Sequence, residues 1–157
     1  MKINIIAVGK IKEQYLKDAI SEYTKRLSKF CELSIIEVNE SVAKNETDAN
    51  IIKSKNEEGE QILSKIKNEY VVVLDIGGKE YSTLEFCQKL KEVKLSGVST
   101  ISFVIGGSYG LADEVKKRAD LKLSFSKLTF PHQLFRVILL EQIYRAFKIE
   151  NNEPYHK

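Results

Sequence analysis

The hydrophobic and polar positions of the chain follow two different periods in turn. Short apolar or strictly alternating runs, typical of strands, are separated by longer segments in which apolar residues recur every three or four positions, typical of amphipathic helices. This alternation predicts an α/β fold with a mostly parallel sheet of about five strands and helices on both faces. The predicted strands are Ile3–Val8, Leu33–Val38, Tyr70–Ile76, Ile101–Ile105 and Leu121–Phe125.

The predicted helices lie between these strands. Ser82 and Glu85 have the spacing of a capping box, so a helix is expected to begin there. Gly59 weakens the middle of another helix, and the pair Gly77-Gly78 is expected to end the central strand that precedes it. Before the last helix, the predicted helices cover about residues 15–30, 49–67, 83–97 and 111–119.

The last predicted helix, from about Pro131 to Ile149, is apolar almost all round. Proline is well placed at the first helical position, which is why the helix is expected to start at Pro131. A helix without a polar face needs cover on more than one side. In a chain of this size a second copy can supply that cover, so the pattern predicts a homodimer that uses this helix.

The amino-acid composition narrows the class of protein but does not identify its function. With 157 residues, 43% of them hydrophobic and 30% charged, the chain is expected to form a single globular domain over residues 1–157. The net charge of +3 permits an RNA partner but does not demand one. Cys31 and Cys87 form no metal or redox motif and are expected to be buried thiols. No segment resembles a signal peptide or a membrane span, so we expect a cytoplasmic protein that does not contact a membrane.

Three loops that follow predicted strands are candidates for ligand binding. They are Leu74–Gly78, Gly106–Gly110 and Phe125–Phe130. Open α/β sheets bind ligands at the carboxyl ends of their strands, and glycine lets a backbone come close to a ligand. Three such loops at one edge favour a ligand site over simple turns of the chain.

The sequence of the glycine loop disfavours the common nucleotide cofactors. Its glycines do not match G-x-G-x-x-G, and the Walker lysine is missing. Asp113 and Glu114 follow in the first turn of a predicted helix, where they would repel a pyrophosphate. NAD, FAD and ATP therefore fit poorly. A ligand with a positive charge near the start of this helix fits better, and S-adenosylmethionine, with its sulfonium group, is such a ligand.

Few side chains have the spacing of a catalytic motif. The sequence contains no Ser/His/Asp set, no paired-carboxylate motif and no metal cluster. His132 lies at the start of the last helix, where a structural role is the simpler explanation. Glu141 and Arg145 are four residues apart and can simply pair on the helix surface.

Four segments together resemble a known family. They are AVGKIK at Ala7–Lys12, FVIGGSYGL at Phe103–Leu111, LSFSKLTFPHQLFRVILLEQIYRAFKI at Leu123–Ile149 and PYHK at Pro154–Lys157. They closely resemble the ribosomal large-subunit methyltransferase H family, SPOUT-class enzymes that methylate N3 of a pseudouridine in 23S rRNA. The likeness covers the whole chain and is most specific in its C-terminal third, whereas Asn39–Lys67 is generic.

The resemblance implies features that periodicity cannot show. It implies a deep trefoil knot in the C-terminal part, although connections thread loops very rarely. It also implies an obligate homodimer that recognises ribosomal RNA across both subunits, and S-adenosylmethionine as the cofactor, with no metal. The implied cofactor-binding residues are Leu74, Gly106, Gly107, Phe125, Ser126, Lys127, Leu128, Thr129 and Phe130.

The implied reaction also assigns roles to polar side chains. A methyl on a sulfonium requires in-line attack, and N3 of pseudouridine must lose its proton. The Tyr-His-basic end of the family is kept here, which makes Tyr155, His156 and Arg145 the candidate catalytic residues for substrate positioning and proton removal. The group that acts as the base stays open. The candidate substrate-binding residues are His132, Arg136, Lys10 and Lys12.

Lys10, Lys12 and Arg145 are candidate contacts for RNA phosphates, and the alternative for the two lysines is that they are ordinary solvated surface residues. For His132 and Arg136 the alternative is that they only hold the last helix in place. Two other classes of function also stay open. One is a different nucleotide-cofactor enzyme, such as a dehydrogenase, and the other is a non-catalytic ribosome-binding factor.

Overall fold

The computed structural model describes residues 1–157 and contains five strands that alternate with five helices. The strands are β1 (Lys2–Val8), β2 (Glu32–Val38), β3 (Tyr70–Glu80), β4 (Thr100–Ile105) and β5 (Leu121–Ser124). The helices are α1 (Gln14–Leu27), α2 (Asp48–Lys65), α3 (Thr83–Leu95), α4 (Asp113–Arg118) and α5 (His132–Glu150). The predicted α/β fold is confirmed.

The five strands form one parallel sheet in the order β2-β1-β4-β3-β5. Its larger core packs α1, α3 and α5 on one face, through residues such as Leu27, Phe86 and Ile143. A smaller core packs α2 and α4 on the other face, through Ile62 and Val115. The sheet is therefore covered on both sides, which is why its central strands are apolar along nearly their whole length.

The glycine pair in β3 does not end the strand, contrary to the sequence-based expectation. β3 continues to Glu80, and its pairing with β5 changes register between Leu74 and Lys79. A Cβ on Gly78 would stand 2.7 Å from the carbonyl carbon of Lys122 on β5. Glycine is required at this position because two backbones meet there, and the chain does not turn.

The last helix begins one residue later than predicted. Pro131 lies before α5 with φ −56° and ψ 127°, an extended conformation, and its carbonyl accepts the amide of Phe135 at 2.9 Å. The apolar residues of α5 are divided between the core and a partly uncovered face. None of the helices has the length and apolarity that crossing a bilayer would require. Cys31 and Cys87 are buried free thiols, as predicted.

Candidate functional site

A cavity of about 270 Å³ opens at the ends of β4 and β5 and beside residues 74–76 of β3. We call it the edge cavity. Its walls come from this part of β3 and from the loops after β4 and β5, and α2, α4 and the start of α5 complete them. The structure thus brings together the three segments that the sequence singled out, although Leu74–Gly78 lies within β3 and is not a loop.

Most of the predicted cofactor-binding residues line the edge cavity. Lys127 is the exception, since it lies exposed on the loop and is not part of the wall. His132, predicted to contact substrate, also faces the cavity. The lining residues from the predicted set are Leu74, Gly106, Gly107, Phe125, Ser126, Leu128, Thr129 and Phe130.

The loop after β4 is folded tightly upon itself. A Cβ on Gly106 would stand 2.9 Å from the carbonyl carbon of Gly110, so only glycine fits there. Gly110 has φ +83°, a conformation that side-chain-bearing residues rarely adopt, and its amide donates to the carbonyl of Gly107 at 3.1 Å. This wall of the cavity is therefore formed by backbone, which a ligand can approach closely.

The loop after β5 is held by its own hydroxyl groups and by an aromatic cluster. Ser124 Oγ donates to the carbonyl of Ser126, and Ser126 Oγ accepts the amide of Leu128, both at 3.0 Å. The rings of Phe125 and Phe130 pack on Phe135 of α5 with centroids 4.9 and 5.6 Å apart. These contacts attach the loop to the first turn of α5 and give the cavity a rigid aromatic side.

The edge cavity also contains charges that sequence reasoning missed. Asp75 pairs with Lys116 at 3.5 Å, and Lys55 lines the same space from α2. Asp75 could have been noticed, because it lies within a predicted strand-end loop. Lys55 left no signal, since its helix belongs to the segment that appeared generic. No group of three or more His, Cys, Asp or Glu side chains is placed to hold a metal ion.

The three candidate catalytic residues meet around Glu141, in the middle of α5. Arg145 Nη2 and the Tyr155 hydroxyl donate to Glu141 Oε1 at 2.7 and 3.0 Å. The Arg145 guanidinium lies 4.6 Å from the centre of the Tyr155 ring, and its Nη1 is 3.4 Å from His156 Nδ1. We call these four residues the tail cluster. The sequence pattern indicated only a surface ion pair for Glu141.

The environment of Tyr155 argues against it as a base. Burial and the hydrogen bond to the Glu141 carboxylate raise the pKa of Tyr155 to about 12. The same carboxylate raises the pKa of Arg145. At neutral pH the phenol is therefore a neutral donor that holds the chain terminus on α5, and it is poorly suited to accept a proton.

The tail cluster does not line the edge cavity of its own chain. At a rise of about 1.5 Å per residue, His132 and Arg145 lie roughly 20 Å apart along α5. The Tyr155 ring packs on Tyr144 with centroids 5.0 Å apart, and Tyr144 packs in turn on Tyr23 of α1. The cluster thus belongs to the surface where α1 and α5 meet.

Arg136 is buried, which fits the alternative that it holds the last helix in place. Its side chain is 1% exposed, and Nη1 donates to Glu37 Oε2 at 2.8 Å. Nη2 donates to the carbonyls of Val8 and Gly9 at 3.3 and 2.6 Å, whereas Nε is buried without a partner. The guanidinium ties α5 to the ends of β1 and β2, and the assignment of Arg136 as a substrate contact stays a prediction.

Lys10 and Lys12 lie exposed on the loop that Arg136 anchors. Glu37 Oε2 also accepts the amide of Ile11 between them, at 3.2 Å. Their exposure leaves both ammonium groups accessible at the same edge of the sheet as the cavity, and their role in binding phosphates stays a prediction.

Comparison with known proteins agrees with this geometry. The family model described as "Predicted SPOUT methyltransferase" matches residues 1–156. A relative named ribosomal RNA large subunit methyltransferase H 1, from Clostridium perfringens, is 55% identical over 159 residues, with full coverage of both chains. A Clostridium botulinum relative named ribosomal RNA large subunit methyltransferase H is 58% identical over 161 residues, again with full coverage.

Solved structures share the fold at low sequence identity. The methyltransferase Lpg2936 from Legionella pneumophila, solved with its bound cofactor SAM, superposes with a TM-score of 0.51 at 12% identity. The match covers 93% of this chain and 66% of that one. A methylase family protein from Haemophilus influenzae gives a TM-score of 0.50 at 15% identity, over 99% of this chain and 70% of that one. From the family match and the full-length relatives together, the chain belongs to the SPOUT methyltransferase family.

Proposed function

We propose that this chain is an S-adenosylmethionine-dependent methyltransferase that acts on the ribosomal RNA of the large subunit. The observation that carries the proposal is identity of 55–58% over the full length of relatives named ribosomal RNA large subunit methyltransferase H. Membership of the SPOUT methyltransferase family indicates methyl transfer, and the names of the relatives indicate ribosomal RNA as the class of substrate. The resemblance seen in the sequence points further, to N3 of a pseudouridine and to a knotted C-terminal part.

The edge cavity fits the proposed cofactor. The wall at Gly106 offers backbone at a place that any Cβ would fill. Asp75 provides a negative charge for an ammonium or sulfonium group, and Lys55 and Lys116 provide positive charges for a carboxylate. The mixed charges and the aromatic side suit a zwitterionic nucleoside better than a pyrophosphate, in agreement with the acidic start of α4.

The tail cluster is suited to a substrate that must become an anion. S-adenosylmethionine supplies a methyl group on a sulfonium, which the attacking nitrogen meets in line. N3 of a uracil ring lies between two carbonyl groups, so loss of its proton places negative charge on their oxygens. Donors that face those oxygens stabilise the anion. Arg145 carries such donors, and its contact with His156 Nδ1 directs the Nε2 side of that ring away from α5.

A second copy of the chain would bring the two regions together. Within one chain the edge cavity contacts the first turn of α5 and the tail cluster lies on its middle and second half, and α5 keeps a partly uncovered apolar face. Leu134 on that face is 39% exposed, and Val137 and Ile138 are half-buried. We propose a homodimer that covers this face and places the tail cluster of one subunit near the edge cavity of the other. Light scattering at micromolar concentration should give the mass of a dimer, and a monomer mass would contradict the proposal.

Mass spectrometry of ribosomal RNA tests the function directly. Large-subunit particles that lack the modification are incubated with the protein and S-adenosylmethionine, and the RNA is digested to nucleosides. The expected product is a pseudouridine with one methyl group on N3. Binding to the particles without methyl transfer would indicate a ribosome-binding factor instead. A thermal shift with NAD but none with S-adenosylmethionine would indicate a different cofactor enzyme.

A further inference from the structure

A buried carboxyl group lies directly beneath the glycine loop of the edge cavity. Glu58 of α2 is only 2% exposed. Its Oε1 accepts the backbone amide of Ser41 at 3.0 Å, whereas its Oε2 is buried without a hydrogen-bond partner. A buried carboxyl group whose oxygen lacks a partner is costly. Such a group requires an explanation beyond helix packing.

The Glu58 carboxyl group lies beside the loop that walls the cavity. Its two oxygens lie 3.3 and 3.4 Å from the position that a Cβ on Gly107 would take, and Val8 Cγ1 lies 3.0 Å from the same position, so no side chain fits there. The neighbouring residue, Gly59, allows equally close packing, since a Cβ there would stand 2.9 Å from the Cβ of Ala112 just beyond the loop. One turn of α2 is thus fitted against the chain from Gly107 to Ala112, on the side away from the cavity.

We propose that Glu58 is a positioning residue that fixes the backbone of Gly107, and through it the wall of the cofactor site. The inference rests on the proposed function in one respect, that the edge cavity binds S-adenosylmethionine. Glu58 does not line the cavity and is therefore not a catalytic residue. Its contribution is to keep the loop in the conformation that admits the cofactor.

The electrostatic surroundings favour the neutral acid at this position. Burial raises the pKa of Glu58, the charge of Glu40 raises it further, and the hydrogen bond from Ser41 opposes them. The other charged groups nearby are engaged elsewhere: Glu57 bonds to Ser41 Oγ, Glu40 accepts from Ser108 Oγ at 3.5 Å, and Lys55 faces the cavity. No cation pairs with Glu58.

The sign of the pH dependence follows from the raised pKa. Because burial raises the pKa of Glu58, the folded site holds the carboxyl proton more tightly than the unfolded chain does, and the support that the protonated form gives the loop is fully present below the ordinary carboxyl pKa. That support is lost as pH rises through the raised pKa of the folded state. Affinity for the cofactor should therefore weaken towards alkaline pH, because an unpaired carboxylate under Gly107 would displace the loop.

The test compares two substitutions at this position by calorimetry with S-adenosylmethionine. Glu58→Gln keeps the shape and cannot ionise, so it should bind the cofactor as tightly as the wild type at low pH. Its affinity should then stay constant between about pH 5 and pH 9 while that of the wild type falls. Glu58→Asp withdraws the carboxyl from Gly107 and should weaken binding roughly tenfold, raising KM for the cofactor and leaving kcat unchanged.

Glu60→Asp is the matched control, because Glu60 lies exposed on the same helix. It should bind the cofactor like the wild type at every pH. A folded Glu58→Asp variant with wild-type affinity would overturn the proposal, as would the same pH profile in Glu58→Gln and the wild type. If Glu58→Asp does not fold, the pH profile of Glu58→Gln decides. Absence of binding by the wild type would instead reject the proposed function.

Discussion

The edge cavity and the tail cluster should respond to different kinds of substitution. One wall of the cavity is formed by the backbone of the glycine loop, where Gly106 leaves no room for a Cβ and Gly110 has φ +83°. The tail cluster is formed by side chains, whose contacts depend on the exact chemical groups of Glu141, Arg145 and Tyr155. The first should therefore be sensitive to added volume and the second to lost functional groups.

Deleting Tyr155–Lys157 should impair methyl transfer and leave the binding of the cofactor intact. Methyl transfer to ribosomal RNA should fall by about a thousandfold or more, because the deletion removes the groups that we propose to hold the substrate. Binding of S-adenosylmethionine, measured by calorimetry, should remain unchanged, since none of the deleted residues lines the edge cavity. Full activity of the truncated protein on ribosomal particles would reject a role for the tail.

Gly106→Val should impair the binding of the cofactor, which the deletion of the tail leaves intact. A Cβ at this position meets the backbone of Gly110 at 2.9 Å, so the loop must move into or away from the cavity. Affinity for the cofactor should fall by roughly a hundredfold in calorimetry. Gly77→Ala is the control, because its Cβ would meet only an ordinary contact at 3.9 Å. Equal affinity in Gly106→Val and the wild type would remove the glycine loop from the site.

Arg136→Met should weaken the attachment of α5 to the sheet. This helix contributes residues to both the edge cavity and the tail cluster. The substitution leaves the carbonyls of Val8 and Gly9 without their donor and the Glu37 carboxylate without its partner. Since Glu37 is partly exposed, the free energy of unfolding should fall by about 2 kcal/mol in urea titrations. The exposed pair of Arg26 and Glu22 gives the control, and Arg26→Met should leave the urea midpoint nearly unchanged. Wild-type stability of Arg136→Met would mean that the buried guanidinium is dispensable.

Tyr155→Phe should have the smallest effect, because only one hydroxyl is lost. The ring contacts with Arg145 and Tyr144 remain, whereas the hydrogen bond to Glu141 disappears. The methyl-transfer rate should fall about tenfold with unchanged cofactor affinity. Because the pKa of Tyr155 is raised to about 12, the bond is present at neutral pH and is lost only as pH approaches that value. A rate equal to that of the wild type would show that the ring alone holds the tail.

The contrast between the two regions also explains which parts of the site the sequence could predict. Loops after parallel strands meet at one edge whatever their side chains are, so Gly106–Gly110 and Phe125–Phe130 could be identified from their positions directly after predicted strands. The tail residues were identified only by resemblance, because no periodicity links Tyr155 to Glu141. Lys55 and Glu58 were missed entirely, since a helical pattern does not show which loop the helix will touch.

Two residues show where local rules and tertiary structure disagree. Gly77-Gly78 has the composition of a turn, yet Gly78 serves the close approach of β3 to β5. Arg136, placed beside a predicted ligand loop, has the chemistry of an RNA contact, yet it is buried against carbonyl groups of β1. In both cases the residue's role is set by contacts with residues that lie far away in the sequence.

The alternation of strands and helices, the edge of the sheet where the candidate ligand segments meet and, through the C-terminal motifs, the family can all be inferred from the sequence alone. These features depend on local periodicity and on short segments, which are complete in one stretch of chain. Only the tertiary structure decided the burial of Arg136, the placement of Glu58 beneath Gly107 and the separation of the tail cluster from the edge cavity. Each of these depends on which distant surfaces pack together, because burial and electrostatics are set by neighbours in space and not by neighbours along the chain.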